Sequence, residues 1–393
     1  MKMHPGLQDG PIYLDYNATT PVDPAVVEAM LPYLAIHFGN PSSTHAYGHA
    51  TREAVDAARK QVASLLNCSP AEIAFTGGGS ESDNLAIRGA ALARRHFGNH
   101  IITQATEHPA VINTCHALER LHGFRVTYLP VDKYGQVDPA QVEATIDDRT
   151  VLVTIMHANN ETGTLQPIKQ IAEIAHRHRA LMHSDASQSV GKIPTLVDEL
   201  GVDLLTVAGH KVYAPKGIGA LYIRQGLHLE PAIYGGGQES GRRAGTENVA
   251  YIVALGTACM IAQEQLAESR DRMRRLRDRL QQRLEQYVPT RVFLNGHVTE
   301  RLPNTLNVSI EGVVGEEVLA ATPEIASSTG SACHEGSTDP SPVLVAMGMS
   351  RARALGALRL TLGRWTTEDD VERAASLLAR TIDSLSSKGY NRE

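Results

Sequence analysis

The chain has 393 residues, enough for two domains and a large core. Its 42% hydrophobic and 20% charged residues are ordinary for a globular protein, and 37 basic against 43 acidic residues leave a net charge of −6, which gives no global pull toward nucleic acid or an anionic membrane. The four cysteines (Cys68, Cys115, Cys259 and Cys333) lie far apart with no Cys-x-x-Cys pair, so neither a zinc site nor a disulfide framework is expected and any functional cysteine acts singly. The first ten residues contain no apolar signal core, and no later run is expected to approach the roughly 18 apolar residues of a spanning helix; the expectation is a cytoplasmic protein.

Residues 12–14 form a short apolar run that ends in the polar turn cluster Asp15-Tyr-Asn-Ala-Thr-Thr-Pro21. Pro24 then opens a helix with apolar positions Val26, Val27, Met30 and Leu34. After Phe38-Gly-Asn-Pro-Ser-Ser, a second helix keeps Ala54, Val55, Ala58, Val62, Leu65 and Leu66 on one stripe. From residue 73 strands and helices alternate: strand 73–75, the turn Gly77-Gly-Gly-Ser80, a helix to about 95, strand 101–102, helix 109–121, strand 125–129, helix 139–146, strand 151–156, helix 168–179, and strands 181–183 and 204–207. Connections this short predict a mainly parallel sheet covered by helices on both faces, one large α/β domain.

Near residue 248 the pattern changes to a long helix whose stretch 268–280 sets many arginines around spaced leucines. A solvated helix face explains that run better than a nucleic-acid footprint, because acids are interleaved and Leu276, Leu280 and Leu284 keep one stripe. Strand 305–310, helix 315–321, the run Leu358-Arg-Leu-Thr-Leu and a helix over 367–386 predict a smaller α+β domain. The expected division is 16–262 for the large domain and 1–15 with 263–393 for the small one. Between 327 and 342 the composition turns to Ser, Thr, Gly, Asp and Pro, which predicts an exposed mobile loop. Cys333 sits at its centre, where little can bury it; an incidental surface thiol is the plain alternative.

Several strand ends carry chemistry. Lys211, in Gly209-His-Lys, follows the apolar run 204–208, and taken alone it reads as a solvated lysine capping a strand. Asp185 closes another strand, Gly77-Gly-Gly-Ser80 could bring backbone amides to an anion, and His108 and Asn160 also follow strands. In a parallel sheet these ends share one edge, so Ser80, His108, Asn160, Asp185 and Lys211 can converge. A phosphate cradle, a carboxylate for a protonated ring nitrogen and an amine for a Schiff base are together what pyridoxal 5′-phosphate needs.

With these stand Glu81-Ser-Asp-Asn-Leu-Ala, Thr106-Glu-His, Met156-His-Ala-Asn-Asn-Glu-Thr-Gly, His183-Ser-Asp-Ala-Ser-Gln-Ser-Val-Gly-Lys, Gly235-Gly-Gly-Gln-Glu, Arg243-Ala-Gly-Thr-Glu-Asn and Gly330-Ser-Ala-Cys. In this order the motifs resemble the cysteine desulfurases of the NifS/IscS type, fold-type I pyridoxal-phosphate enzymes of the class-V aminotransferase family, over nearly the whole chain. The resemblance implies that Lys211 carries the cofactor as a Schiff base, Asp185 pairs with the pyridinium, His108 stacks on the ring, Gln188 meets the phenolic oxygen and Asn160 orients cofactor and substrate. It implies phosphate contacts from Gly79, Ser80 and His210, with Thr246 of the partner subunit reaching across a homodimer. Arg359 matches the arginine that takes the substrate carboxylate, and Cys333 the nucleophile that receives sulfur from L-cysteine as a persulfide for an acceptor protein. The acceptor's pathway stays open among iron-sulfur assembly, tRNA thiolation and DNA sulfur modification. A selenocysteine lyase or aminotransferase on the same fold, or a partner subunit that binds the cofactor without turnover, are the alternatives.

Two departures from the family pattern carry expectations. Ala208 stands where a serine hydroxyl commonly helps hold the phosphate, so cofactor retention should be weaker. Only a few residues follow Ser387, where scaffold-serving members of the family often carry a longer tail, which leaves an iron-sulfur scaffold partner open.

Overall fold

The computed structural model describes residues 3–330 and 339–389. The predicted loop cysteine, Cys333, therefore lies outside the described residues.

The first part of the chain contains β1 (Ile12–Tyr13), α1 (Pro24–Ala35), α2 (Ala46–Leu66), β2 (Ile73–Thr76), α3 (Gly79–Ala93), β3 (His100–Gln104), α4 (Pro109–His122), β4 (Arg125–Leu129), α5 (Pro139–Thr145), β5 (Thr150–Thr154), α6 (Ile168–Arg177), β6 (Leu181–Asp185), α7 (Val197–Leu200), β7 (Leu204–Ala208) and β8 (Gly219–Ile223). The remainder contains α8 (Val249–Tyr287), β9 (Val292–Leu294), β10 (Thr305–Ile310), α9 (Gly315–Ala320), β11 (Ile325–Ala326), α10 (Pro342–Ala346), α11 (Arg351–Leu355), β12 (Ala357–Thr361) and α12 (Glu368–Gly389).

Seven strands form one sheet in the order β2-β8-β7-β6-β5-β3-β4. β7, β6, β5, β3 and β4 run parallel, and β5, β6 and β7 are buried along their whole length, as strands covered on both faces must be. β8, which the alternating pattern did not reveal as a strand, pairs antiparallel with both β7 and β2. The physical reason is the length of its connection. After Lys211 the chain turns through Pro215 and a left-handed Gly217 (φ +84°) and returns at once beside β7, too soon for a crossover helix.

One core packs α2, the first half of α8 and one sheet face, with Val55, Val62, Leu66, Val207 and Leu255 buried. The predicted stripe of α2 is entirely buried, whereas α1 buries only Val26 and Met30 and leaves Val27 and Leu34 exposed with Leu31. A second core joins Ile12 and Leu14 to the later half of α8, β10, β12 and α12. There β12-β10-β9 is a small antiparallel sheet, and β1 pairs parallel with β11. Leu276, Leu280 and Leu284 lie in that core while Arg279 and Arg283 pair with Glu372 of α12, so the arginine run is a helix–helix seam as well as a solvated face. One expectation is corrected: the apolar part of α8 is long and apolar enough to cross a membrane by composition. Ile252, Leu255, Cys259 and Ala262 of that stretch are buried within the protein.

Candidate active site

β7 ends at Ala208, and a single tight turn over Gly209–Lys211 carries the lysine off the sheet edge. That turn is stitched to the loop after β1. Thr20 donates to the His210 carbonyl from its amide (3.0 Å) and from its hydroxyl (3.1 Å), and its hydroxyl accepts from Tyr213 N (3.0 Å). The Lys211 ammonium donates to the carbonyls of Asn17 (2.5 Å) and Ala18 (2.7 Å). Two carbonyl oxygens thus hold the amine half-buried at the floor of a cavity of about 440 Å³.

Ser80, His108, Asn160, Asp185 and Lys211, the five strand-end residues, all line that cavity. Gly79, Gln188, His210 and Arg359 line it too. Thr246 is exposed and is absent from the lining.

At one end α3 begins without a side-chain cap on Gly78, whose φ of +143° favours glycine. The first amides of that helix are therefore left for a ligand. A Cβ on Gly79 would stand 3.1 Å from both the Ala208 Cβ and the Ser187 Oγ, so only glycine leaves this space open. Gly77 N donates to the Glu81 carboxylate (2.9 Å), which Arg243 balances at 2.8 Å. His210 has its pKa pushed down to about 4 by burial and then by Lys211 and neighbouring lysines, which keeps the ring neutral at pH 7.

At the other end Asp185 accepts from Ser187 N (2.8 Å) and faces the cavity from the tip of β6. Behind it lie two acids to which the sequence attached no role. Asp83 is fully buried and its carboxyl is held well above the usual range, by burial first and Asp185 second. Glu107 accepts from Met156 N (2.6 Å) and Gln104 Nε2 (2.9 Å), and burial pushes its pKa up to about 8. Burial therefore favours the protonated form of both, and Asp83 lines the cavity beside Asp185. His183, buried between β5 and β7, is pushed down to about 4 by burial.

His108 caps α4 with its Nδ1, which accepts from Ala110 N (3.1 Å), so a neutral ring carries its proton on Nε2. Burial lowers its pKa and Lys211 adds to this, while Asp185 opposes. Arg359 is 1% exposed, donates to Asp15 (2.9 Å) and more weakly to the Asn160 carbonyl (3.4 Å), and leaves Nε without a hydrogen-bond partner among the described residues. A buried guanidinium that lines the same cavity as an amine has the chemistry to take a carboxylate.

Asn17, Asp15 and Lys192 also belong to the site without a signal in the sequence. Asn17 and Asp15 stand in a polar turn cluster, and their role depends on contacts with residues 211 and 359, which no local pattern displays. Lys192 ends a recognised motif without an assigned task, yet it is 5% exposed.

An anion cradle, a carboxylate, a stacking ring and an amine in one cavity of ligand size fit pyridoxal 5′-phosphate. Comparison with known proteins gives the same class. Residues 12–374 match the family described as aminotransferase class-V. "Cysteine desulfurase IscS" of Methanosarcina thermophila is 48% identical, covering 95% of this chain and 92% of that protein. A solved "NifS-like protein" superposes with a TM-score of 0.88 at 37% identity, covering 96% of this chain and 99% of that one. A structure titled "SspA in complex with cysteine" gives 0.78 at 40% identity, covering 90% and 99%. The chain belongs to the class-V aminotransferase family, whose fold is the fold-type I architecture with its pyridoxal-phosphate cofactor. Within that family it falls among the cysteine desulfurases.

Proposed function

We propose that the protein is a pyridoxal-phosphate-dependent cysteine desulfurase that converts L-cysteine to L-alanine and passes the sulfur, through a persulfide on Cys333, to an acceptor protein. The observation that carries this is the convergence of Lys211, Asp185 and the Gly79–Ser80 helix start on one cavity. When bound as a Schiff base, the cofactor supplies an electron sink for the bond changes at the substrate.

The chain's own residues do the rest. Gly79, Ser80 and His210 would hold the phosphate, His108 would stack on the ring, Gln188 would meet the phenolic oxygen, and Asp185 would keep the ring nitrogen protonated. Arg359 and Asn160 bind and orient the cysteine carboxylate. Lys211 Nζ would take the proton from the substrate Cα. The Cys333 thiolate attacks the substrate sulfur, so that a sulfur–sulfur bond forms as the carbon–sulfur bond breaks, and protonation of the carbon fragment gives alanine.

The other thiols support this assignment of the nucleophile. Cys68, Cys115 and Cys259 have pKa values pushed up to about 12 by burial, so none is a thiolate at neutral pH. We further propose a cytoplasmic homodimer, with Thr246 of the partner subunit completing the phosphate site, and a division into 16–262 and 1–15 with 263–393. The separation of the core of α2 and the first half of α8 from the core of β10, β12 and α12 supports that division.

The test is the Cys333→Ser variant. It should bind the cofactor and develop the spectrum of the cysteine complex, yet lose sulfide release at least a hundredfold, on the order of what loss of a nucleophile costs. Normal sulfide and alanine production by this variant would remove Cys333 from the mechanism.

A further inference from the structure

The turn after β6 buries another lysine, Lys192, behind two residues of the cavity wall, Gln188 and Asn17. Gly191 is left-handed (φ +75°), and a Cβ there would come within 2.7 Å of Val212 Cγ2 and 3.2 Å of Ala262 Cβ. With that glycine the chain turns tightly, Lys192 N donates to Ser189 O (3.0 Å), and the Lys192 side chain runs inward instead of into solvent.

Its ammonium donates to Gln188 Oε1 (2.9 Å) and to Asn17 Oδ1 (3.1 Å). Burial lowers its pKa well below the usual lysine value, with Lys211 and Arg359 adding to the effect. A group this buried is costly unless its hydrogen bonds matter, so its partners indicate what it does.

Both partners belong to the site. Gln188 lines the cavity, and its amide has two unlike ends, one that accepts and one that donates. Because Lys192 Nζ donates to Gln188, it is Oε1 that turns toward Lys192. Gln188 Nε2 then donates one hydrogen to the Asn17 carbonyl (3.0 Å) and keeps the other for the cavity. Asn17 is fixed in the same way. Its Oδ1 accepts from Lys192 and Asn304 Nδ2 (3.0 Å), its Nδ2 donates to Thr305 Oγ1 (2.9 Å) and the Asn160 carbonyl (3.2 Å), and its backbone carbonyl accepts from Lys211.

We propose that Lys192 is a positioning residue: by holding Gln188 Oε1 it aims the amide N–H at the phenolic oxygen of pyridoxal phosphate, and so sets the acidity of the Schiff base on Lys211. The inference rests on the cofactor reading above and extends it to a residue that does not touch the cofactor. A donor on the phenolic oxygen stabilises the negative charge left there when the Schiff base loses its proton. Without Lys192, Gln188 Oε1 would be buried unpaired, so the amide swings toward another donor and the phenolic oxygen loses its own.

The readout is the pH at which the visible absorption band of the bound cofactor titrates. Lys192→Met, of similar length and without a donor, should raise that midpoint by about one pH unit, a tenfold change in acid dissociation. Lys192→Gln, which keeps an N–H donor but no charge, should bring it back to the wild-type value. Gln188→Leu should raise the midpoint as Lys192→Met does, and adding Lys192→Gln to Gln188→Leu should move it no further. This arm decides the matter if Lys192→Met does not fold.

An unmoved midpoint in folded Lys192→Met overturns the proposal. So does a shift caused by Lys192→Gln in either background, since that would mean the charge acts directly. A wild-type protein that takes up no cofactor at all would instead overturn the cofactor reading, and the proposal with it.

Discussion

Glu107 shows how the ordinary acidity of a residue is set aside at this site. It sits fully buried behind the cavity with its pKa raised from 4.5 to about 8. Because the folded value lies above the unfolded one, the proton favours the folded state. The resulting stability is complete below about pH 4.5 and is lost as pH rises through 8. The isosteric neutral variant Glu107→Gln lacks this dependence. The melting temperature of the wild type, measured relative to Glu107→Gln, should therefore fall by several degrees between pH 4.5 and 8 and level off above. A constant difference across that range would mean that Glu107 is charged in the folded protein.

At the scale of elements, the phosphate end of the cavity is a meeting of α3, β7 and the turn after β6. Ala208 gives this end a methyl group where Ser187 gives a hydroxyl. Ala208→Ser adds a donor at the same spot and should tighten cofactor binding roughly tenfold, read as the dissociation constant in a fluorescence titration. Unchanged or weaker binding would show that residue 208 does not face the phosphate. Most elements of the sheet were legible in the sequence, because strands buried on both faces read as apolar runs and the helices between them keep a stripe. β8 was missed because Gly219-Ala-Leu-Tyr-Ile223 follows a Pro/Gly turn, and the alternation of strand and helix gives no cue for a strand returning directly. The strand ends announced Ser80, His108, Asn160, Asp185 and Lys211, since each stands where an apolar run stops. Asn17 and Asp83 left no such sign, because the side chains they partner lie far away in sequence, and Lys192 reaches Asn17 across 175 residues.

For the whole molecule, the exposed side of α1 and the segment after it matter most. Leu31, Leu34, Ile36, Phe38 and Tyr47 are all more than half exposed, and the rings of Phe38 and Tyr47 stack at 5.2 Å. An apolar surface of that kind fits the proposed homodimer. Phe38→Glu should shift the sedimentation coefficient from dimer toward monomer and weaken cofactor retention together, whereas a monomeric wild type would remove Thr246 of the partner subunit from the site. The loop after β1 has a consequence for the order of events in the cell. Asn17 leaves the ribosome early, but its amide rests on Thr361 (3.0 Å), its side chain on Asn304 and Thr305, and its carbonyl on Lys211, while β1 needs Ile325. During synthesis Lys211 therefore emerges before its seat can be assembled, and that seat closes only after Thr361 has been translated.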